Sequence, residues 1–263
     1  MSTVFTNRRG ASGFTLLELA VVVLVITLLL GSLLVPLATQ VDQRNIAETQ
    51  KRLEDIKEAL IGFAIANGRF PCPAVSTGAP LESGTESYTG APGVGFCTNF
   101  FDGFVPGTTL GLNNVDSQGF VLDSWGLQQN RIRYAITNAT VGGVSYAFTK
   151  SGGMHDAGIP QLGATAYLSI CASNPVAPTP CGPSTNVLSN GGAVFVVYSL
   201  GKNAATTGTA TTATADELAN LDGDGVFVSK IASNQASAEF DDLVLWISRY
   251  SVISRLVASG QLP

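Results

Sequence analysis

Oxygen-bearing side chains gather near the C-terminal end of the chain. Asn220-Leu221-Asp222-Gly223-Asp224-Gly225 reads as a turn, with Asp216 and Glu217 before it and Glu239, Asp241 and Asp242 after it. Ca²⁺ takes roughly six to eight oxygen ligands, and closely spaced carboxylates and turn carbonyls supply them. A calcium site on Asp222, Asp224 and Glu217 is therefore the metal chemistry open to this stretch. The plainer alternative is a surface Asp-Gly turn. An EF-hand is excluded, because no Glu stands at the twelfth position counted from Asp222. Nucleophilic and acid–base chemistry is sparse. His155, in Gly152-Gly153-Met154-His155-Asp156, is the one histidine, and no serine or cysteine arrangement around it follows from the sequence. Gly201-Lys202 lacks the spacing of a phosphate-binding loop. No catalytic residue is assigned, and the chain is read as a non-enzyme.

The four cysteines, Cys72, Cys97, Cys171 and Cys181, form an even set suited to disulfides in an oxidising compartment. Four cysteines allow three pairings. Nearness in sequence favours Cys72 with Cys97 and Cys171 with Cys181. The net charge of −5 and the lack of a basic patch argue against a nucleic-acid partner.

Glu18 is the one formal charge in an apolar run from Phe14 to Val41, which follows a short leader carrying Arg8 and Arg9. A run of this length exceeds the roughly 20 residues that span a bilayer, so residues 14–41 are expected to be a transmembrane helix. An acid in such a helix needs a partner, or it must reach the interface. Basic residues flank both ends, so charge counting does not orient the span. The cysteines, all beyond it, place the head outside. From residue 42 to 67 the pattern becomes amphipathic, with Leu53, Ile56, Leu60, Phe63 and Ala64 on one face. Pro36, in the apolar half, is expected to kink or locally melt the helix. Asn67-Gly68, with Pro71 beyond, ends it.

Gly13-Phe14-Thr15-Leu16-Leu17-Glu18, preceded by basic residues and followed by the apolar run, resembles the type IV prepilin signature shared by pilins, minor pilins and the pseudopilins of type II secretion. All six positions match, and the motif covers only the N-terminal helix. The resemblance implies cleavage after Gly13 by a prepilin peptidase and N-methylation of Phe14. It further implies passage through an inner-membrane assembly platform into a helical filament of like subunits. Glu18 would neutralise the N-terminal amine of a neighbour. The implied location is a single-pass inner-membrane protein with a cytoplasmic N-terminus and periplasmic head, later part of a pilus or pseudopilus. Asp123-Ser124-Trp125-Gly126 and Arg131-Ile132-Arg133-Tyr134-Ala135 resemble segments of large prepilin-like proteins of Gram-negative bacteria. Ser199-Leu200-Gly201 followed by acids is similar to the calcium-binding loop of major pseudopilins, although the Thr/Ala tract from Ala204 to Ala215 departs from it.

The expected fold is α+β: a leader (1–13), a long helix in a transmembrane half (14–41) and an amphipathic half (42–67), and a head (68–263) built on an antiparallel sheet with disulfide-pinned loops. Strands are expected at Arg131–Thr137 and Val144–Thr149, joined as a hairpin through Gly142-Gly143, and at Tyr167–Cys171, Ala193–Leu200 and Phe240–Ile247. Ala193–Leu200, the most apolar, is expected to be central. Ala204–Ala215 is expected to be an exposed mobile loop. Arg249–Ser259 is expected to be a helix that buries Ile253, Leu256 and Val257 and stops at Gly260. The function expected is that of a minor or specialised pilin with a role in assembly or adhesion. The alternatives are a pseudopilin of type II secretion and a membrane-tethered periplasmic binding protein outside any filament.

Overall fold

The computed structural model describes residues 15–76, 83–173, 180–207, 214–233, 235 and 239–263, with the side chains of 30–38 excepted. The leader, Gly13 and Phe14 lie outside the described residues. So does the middle of the Thr/Ala tract. The chain divides into two units, Met1–Arg44 and Asn45–Pro263.

Helix α1 runs from Leu16 to Asn67. Its start is set by Thr15, whose hydroxyl accepts the amide of Glu18 at 3.2 Å while its carbonyl accepts that of Leu19 at 3.1 Å. Helical assignment continues through Gly31 and Pro36, so the melting expected at Pro36 is not found. Gly68 (φ +65°) closes the helix, its amide bonding to Ala64 O at 2.9 Å. A residue with a Cβ is strained at such a φ, which explains the glycine.

Among the described residues no helix is long and apolar enough to cross a membrane. The transmembrane half expected over 14–41 is therefore not found. The single-pass inner-membrane placement is corrected with it.

Within the larger unit, Leu53, Ile56, Leu60, Ile61 and Ala64 of α1 are buried in the main core. Phe63 is only partly buried, its ring 5.3 Å from the Arg69 guanidinium. The same core takes in Phe70, Tyr134, Phe195, Val197 and Ile247. Phe195 packs its ring 5.4 Å from Phe70 and 6.0 Å from Tyr134, and the Tyr134 hydroxyl donates to Pro71 O at 3.1 Å.

The sheet comprises β1 (Gly103–Phe104), β2 (Arg133–Ile136), β3 (Leu168–Cys171), β4 (Val187–Ser199), β5 (Val226–Val228) and β6 (Leu243–Ser248). Its order is β1-β2-β4-β3-β5, with β6 also paired to β4. Residues Phe195–Tyr198 of β4 pair antiparallel with both β2 and β6, so β4 is central, as its apolar sequence predicts. The sheet is antiparallel-rich rather than wholly antiparallel, because β3 and β5 run parallel. Short helices α2 (Gly107–Leu110), α3 (Gly153–Ala157), α4 (Ile159–Ala164), α5 (Ala204–Thr207) and α6 (Ala215–Ala219) join the strands, and α7 (Arg249–Ala258) follows β6. The arrangement is mixed α+β.

Some expectations are corrected. Val144–Thr149 forms turns, not a strand, and contributes a single bridge between Val141 and Val144 around Gly142-Gly143. β2 pairs instead with β1 on one side and with β4, which has the longer apolar run, on the other. The last strand begins at Leu243 rather than Phe240, which instead bridges to Ser233. Ala204 opens α5 and is buried rather than exposed. Helix α7 buries Val252 and Leu256, while Val257 faces solvent. The disulfides are Cys72–Cys97 and Cys171–Cys181, as sequence nearness favoured.

Leu60 is fully buried and Phe63 is not. Leu60→Ala is expected to lower unfolding stability by about 2–5 kcal/mol, and Phe63→Ala by clearly less. Urea denaturation of both variants checks this, and equal losses would contradict the assigned buried face.

Candidate functional site

Three carboxylates meet where the end of β4, the start of β6 and α6 converge. One oxygen each from Glu217, Asp241 and Asp242 lie within 4.8 Å of one another. Glu217 is placed by a capping box: its amide donates to the Thr214 hydroxyl at 3.4 Å, and its Oε2 accepts the Thr214 amide at 3.1 Å. Its Oε1 accepts from Asn203 Nδ2 at 2.9 Å, and the side chain is wholly buried. Asp241 Oδ2 accepts the amides of Lys202 at 2.7 Å and Asn203 at 3.0 Å. Gly201 makes this approach possible, because a Cβ there would lie 2.4 Å from Asp241 O, and its φ is +66°. Asp242 is buried, and its Oδ2 accepts from Asn220 Nδ2 at 2.8 Å.

The Oδ1 atoms of Asp241 and Asp242 are buried and have no hydrogen-bond partner among the described residues. Burial, above all, pushes Asp241 up to about 6 and Asp242 well above the usual carboxylate range, and the neighbouring Glu217 charge adds to both. Unpaired carboxylate oxygens away from water are costly unless protonated or bound to a cation. Three hard oxygen donors suit a hard divalent ion such as Ca²⁺.

A second polar network supports the rim. Asp123 is buried; its Oδ2 accepts from Ser199 Oγ at 2.5 Å and Asn130 Nδ2 at 2.9 Å, and its Oδ1 accepts from Trp125 N at 2.9 Å. Asn130 Nδ2 also donates to Gly201 O at 2.6 Å. Helix α1 holds this turn from the other side: Arg52 Nη1 donates to Leu122 O and Asp123 O at 2.9 and 2.7 Å, and Thr49 Oγ1 accepts from Ser124 N at 3.1 Å. The Asp123-Ser124-Trp125-Gly126 segment thus ties α1 to the turn that frames the acids.

No family model, curated protein or solved structure matches the chain. The meaning of the site rests on its geometry.

That geometry divides the residues expected to bind calcium. Glu217 joins the cluster, but Asp222 and Asp224 do not. Asp222 Oδ1 accepts the amide of Asp224 at 3.1 Å and Asp224 Oδ1 that of Val226 at 2.7 Å, so both shape the turn into β5. The cluster takes in Asp241 and Asp242 instead, which the sequence placed beside the turn but outside the expected set. Their signal was an acid pair directly before the last apolar strand, where a strand start carries the second carboxyl inward. His155 lies exposed on α3, its Nδ1 3.6 Å from Asp156. Glu18 is exposed in the first turn of α1, and its carboxylate has no partner among the described residues.

Acids held above their unfolded values favour the folded state while protonated. Their contribution is fully present below about pH 4 and is lost as pH rises through the raised values, about 6 for Asp241. In a chelating buffer the melting temperature is therefore expected to fall between about pH 4 and about pH 7. Millimolar Ca²⁺ at neutral pH is expected to raise it by several degrees, the size of about 2–3 kcal/mol of ligand linkage. Asp242→Asn is expected to remove the Ca²⁺ response and flatten the pH dependence. A melting curve insensitive to both pH and Ca²⁺ would exclude the site.

Proposed function

We propose that the chain is a non-enzymatic structural subunit of a type IV pilin-like filament, a minor or specialised pilin whose head serves assembly or adhesion. One observation carries the reading. The large apolar side chains from Leu16 to Leu29 are between 47% and 90% exposed. Contiguous apolar surface of this kind marks a surface that a partner covers. Each such residue, once buried, contributes about 1.5–3 kcal/mol, so burial against like helices is a strong drive to assemble. The Gly13–Glu18 motif supports the same reading, with cleavage after Gly13, methylation of Phe14 and Glu18 facing the amine of a neighbouring subunit.

A pseudopilin is the second reading, favoured by the Glu217–Asp241–Asp242 cluster beside Gly201. In it a Ca²⁺ held by those three residues stiffens the head before assembly.

Val25→Glu is expected to reduce self-association of the full chain in sedimentation experiments and to leave the thermal melt of the head unchanged. Glu18→Ala is expected to lose incorporation into sheared fibres, and a Thr15→Ala variant to retain it. Mass spectrometry is expected to find a mature chain that begins at a methylated Phe14. Normal incorporation of Glu18→Ala into fibres would overturn its assembly role. An unmethylated chain beginning at Met1 would overturn the filament reading.

A further inference from the structure

The outermost strands of the sheet are treated differently. The edge of β1 is closed by Ala74, which exchanges two backbone bonds of 2.8 Å with Phe104. The edge of β5 is closed by the Asn220 side chain, which accepts the Val228 amide at 2.7 Å and donates to its carbonyl at 3.1 Å. Strand β6 pairs with β4 alone. Among the described residues no backbone or side-chain group bonds its outer edge. An open edge is a row of backbone donors and acceptors that invites another strand, and proteins ordinarily close it. β6 is longer than β1 and β5, and no described residue closes it.

Two hollows lie in line beside that edge. One, of about 460 Å³, is bounded by Lys51, Leu53 and Glu54 of α1 and by Leu243–Leu245. The other, of about 680 Å³, is bounded by Glu58 and Ile61 of α1, by Trp246–Ser248 and by α7 at Tyr250 and Arg255. Helix α1 runs past both hollows, with Ser229 and Lys230 completing the first and α7 the second, and an extended segment on the edge would place alternate side chains in them. The charges are mostly settled within the chain: Lys57 pairs with Glu54, Arg255 with Glu58 and Lys230 with Asp216. Lys51 is exposed and has no partner among the described residues. Asp242 reaches the same end but is buried within the acid cluster.

We propose that the outer edge of β6 is a strand-addition site for an extended peptide with alternating apolar residues and a carboxylate at the end beside Lys51. Backbone bonds to Leu243–Ser248 supply affinity, and the two hollows and Lys51 supply register and direction. The site is independent of the filament reading, because it uses only the head and the part of α1 within its core.

The probe is a fluorescein-labelled, N-acetylated Glu-Val-Thr-Val-Thr-Val amide, titrated into the full chain by fluorescence anisotropy. Saturable binding is expected, together with slowed amide hydrogen exchange confined to Leu243–Ser248. N-methylation of one alternating set of peptide amides is expected to weaken binding by at least about tenfold, and methylation of the other set to leave it intact, because a strand presents only one set to its neighbour. Lys51→Glu is expected to weaken the Glu-ended peptide and favour a Lys-ended one. No saturable binding at about 1 mM peptide, equal effects of the two methylated sets, or unchanged exchange at β6 would overturn the proposal. An unaltered end preference in Lys51→Glu would overturn the carboxylate assignment. Dimerisation of the chain alone with protected β6 amides would assign the edge to a second copy and overturn the peptide.

Discussion

The head is organised by the packing of one helical stripe under one strand. Leu53, Ile56, Leu60 and Ala64 share a core with Phe195 and Val197 of β4, the strand that β2, β3 and β6 all pair with. Remove that contact and the sheet loses the layer beneath it, while α1 loses the surface that buries its apolar face. An isolated sheet or a lone amphipathic helix is marginal in water, so each stabilises the other. The Cys72–Cys97 bridge and the buried Arg69–Glu86 pair hold the exit from α1 against this core. The bridge closes a separation of 25 residues, worth about 3 kcal/mol in the chain-entropy account.

The acid cluster lies at the end of the same strand. β4 delivers Ser199 and Gly201, and β6 delivers Asp241 and Asp242 directly before its first paired residue. Burying three carboxylates there opposes folding, and the surrounding donors offset only part of the cost: Asn203, Asn220 and the amides at 202 and 203 satisfy some oxygens and leave Asp241 Oδ1 and Asp242 Oδ1 bare. A group of acids in this state has two physical remedies, a proton or a cation. The Asp123 network reaches the same turn from α1, through hydrogen bonds from Asn130 to Gly201 O and Asp123 and from Arg52 to Asp123 O.

What the sequence made legible follows from how local each signal is. The buried face of residues 53–64 was readable because a helix repeats every three to four residues and the pattern persisted over three turns. The centrality of β4 was readable from its unbroken apolar run. Short disulfide loops followed from cysteine spacing. The false hairpin at Val144–Thr149 arose because a Gly-Gly turn and three β-formers look like a strand locally, yet β2 had a longer partner elsewhere. The acid site was half legible. Glu217 was named, but Asp222 and Asp224 were preferred to Asp241 and Asp242 because nearness in sequence stood in for nearness in space. β6 brings the latter two to Glu217 from more than twenty residues away. The expected membrane span is the clearest miss: hydropathy along 14–41 was taken for a spanning helix, whereas among the described residues no helix is long and apolar enough to cross a membrane.

The N-terminal motif itself acquires two separable parts. Thr15 caps α1 by accepting the Glu18 amide, and Thr15-x-x-Glu18 is the spacing of a capping box, which places an acid favourably at the positive end of a helix. That local role accounts for an acid at this position without any neighbour, and it is worth about 1 kcal/mol. It does not account for the residues that follow. Eleven large apolar side chains between Leu16 and Leu29 remain exposed, and no cap, turn or dipole is served by them. The case for assembly therefore rests on the apolar surface more than on the acid. If like helices cover that surface, Glu18 enters a less polar environment in which an unpaired carboxylate is costly, and a facing amine then becomes a requirement of the packing. In the proposed filament the acid's role would follow from the burial around it, and the capping bond fixes where on the helix it falls.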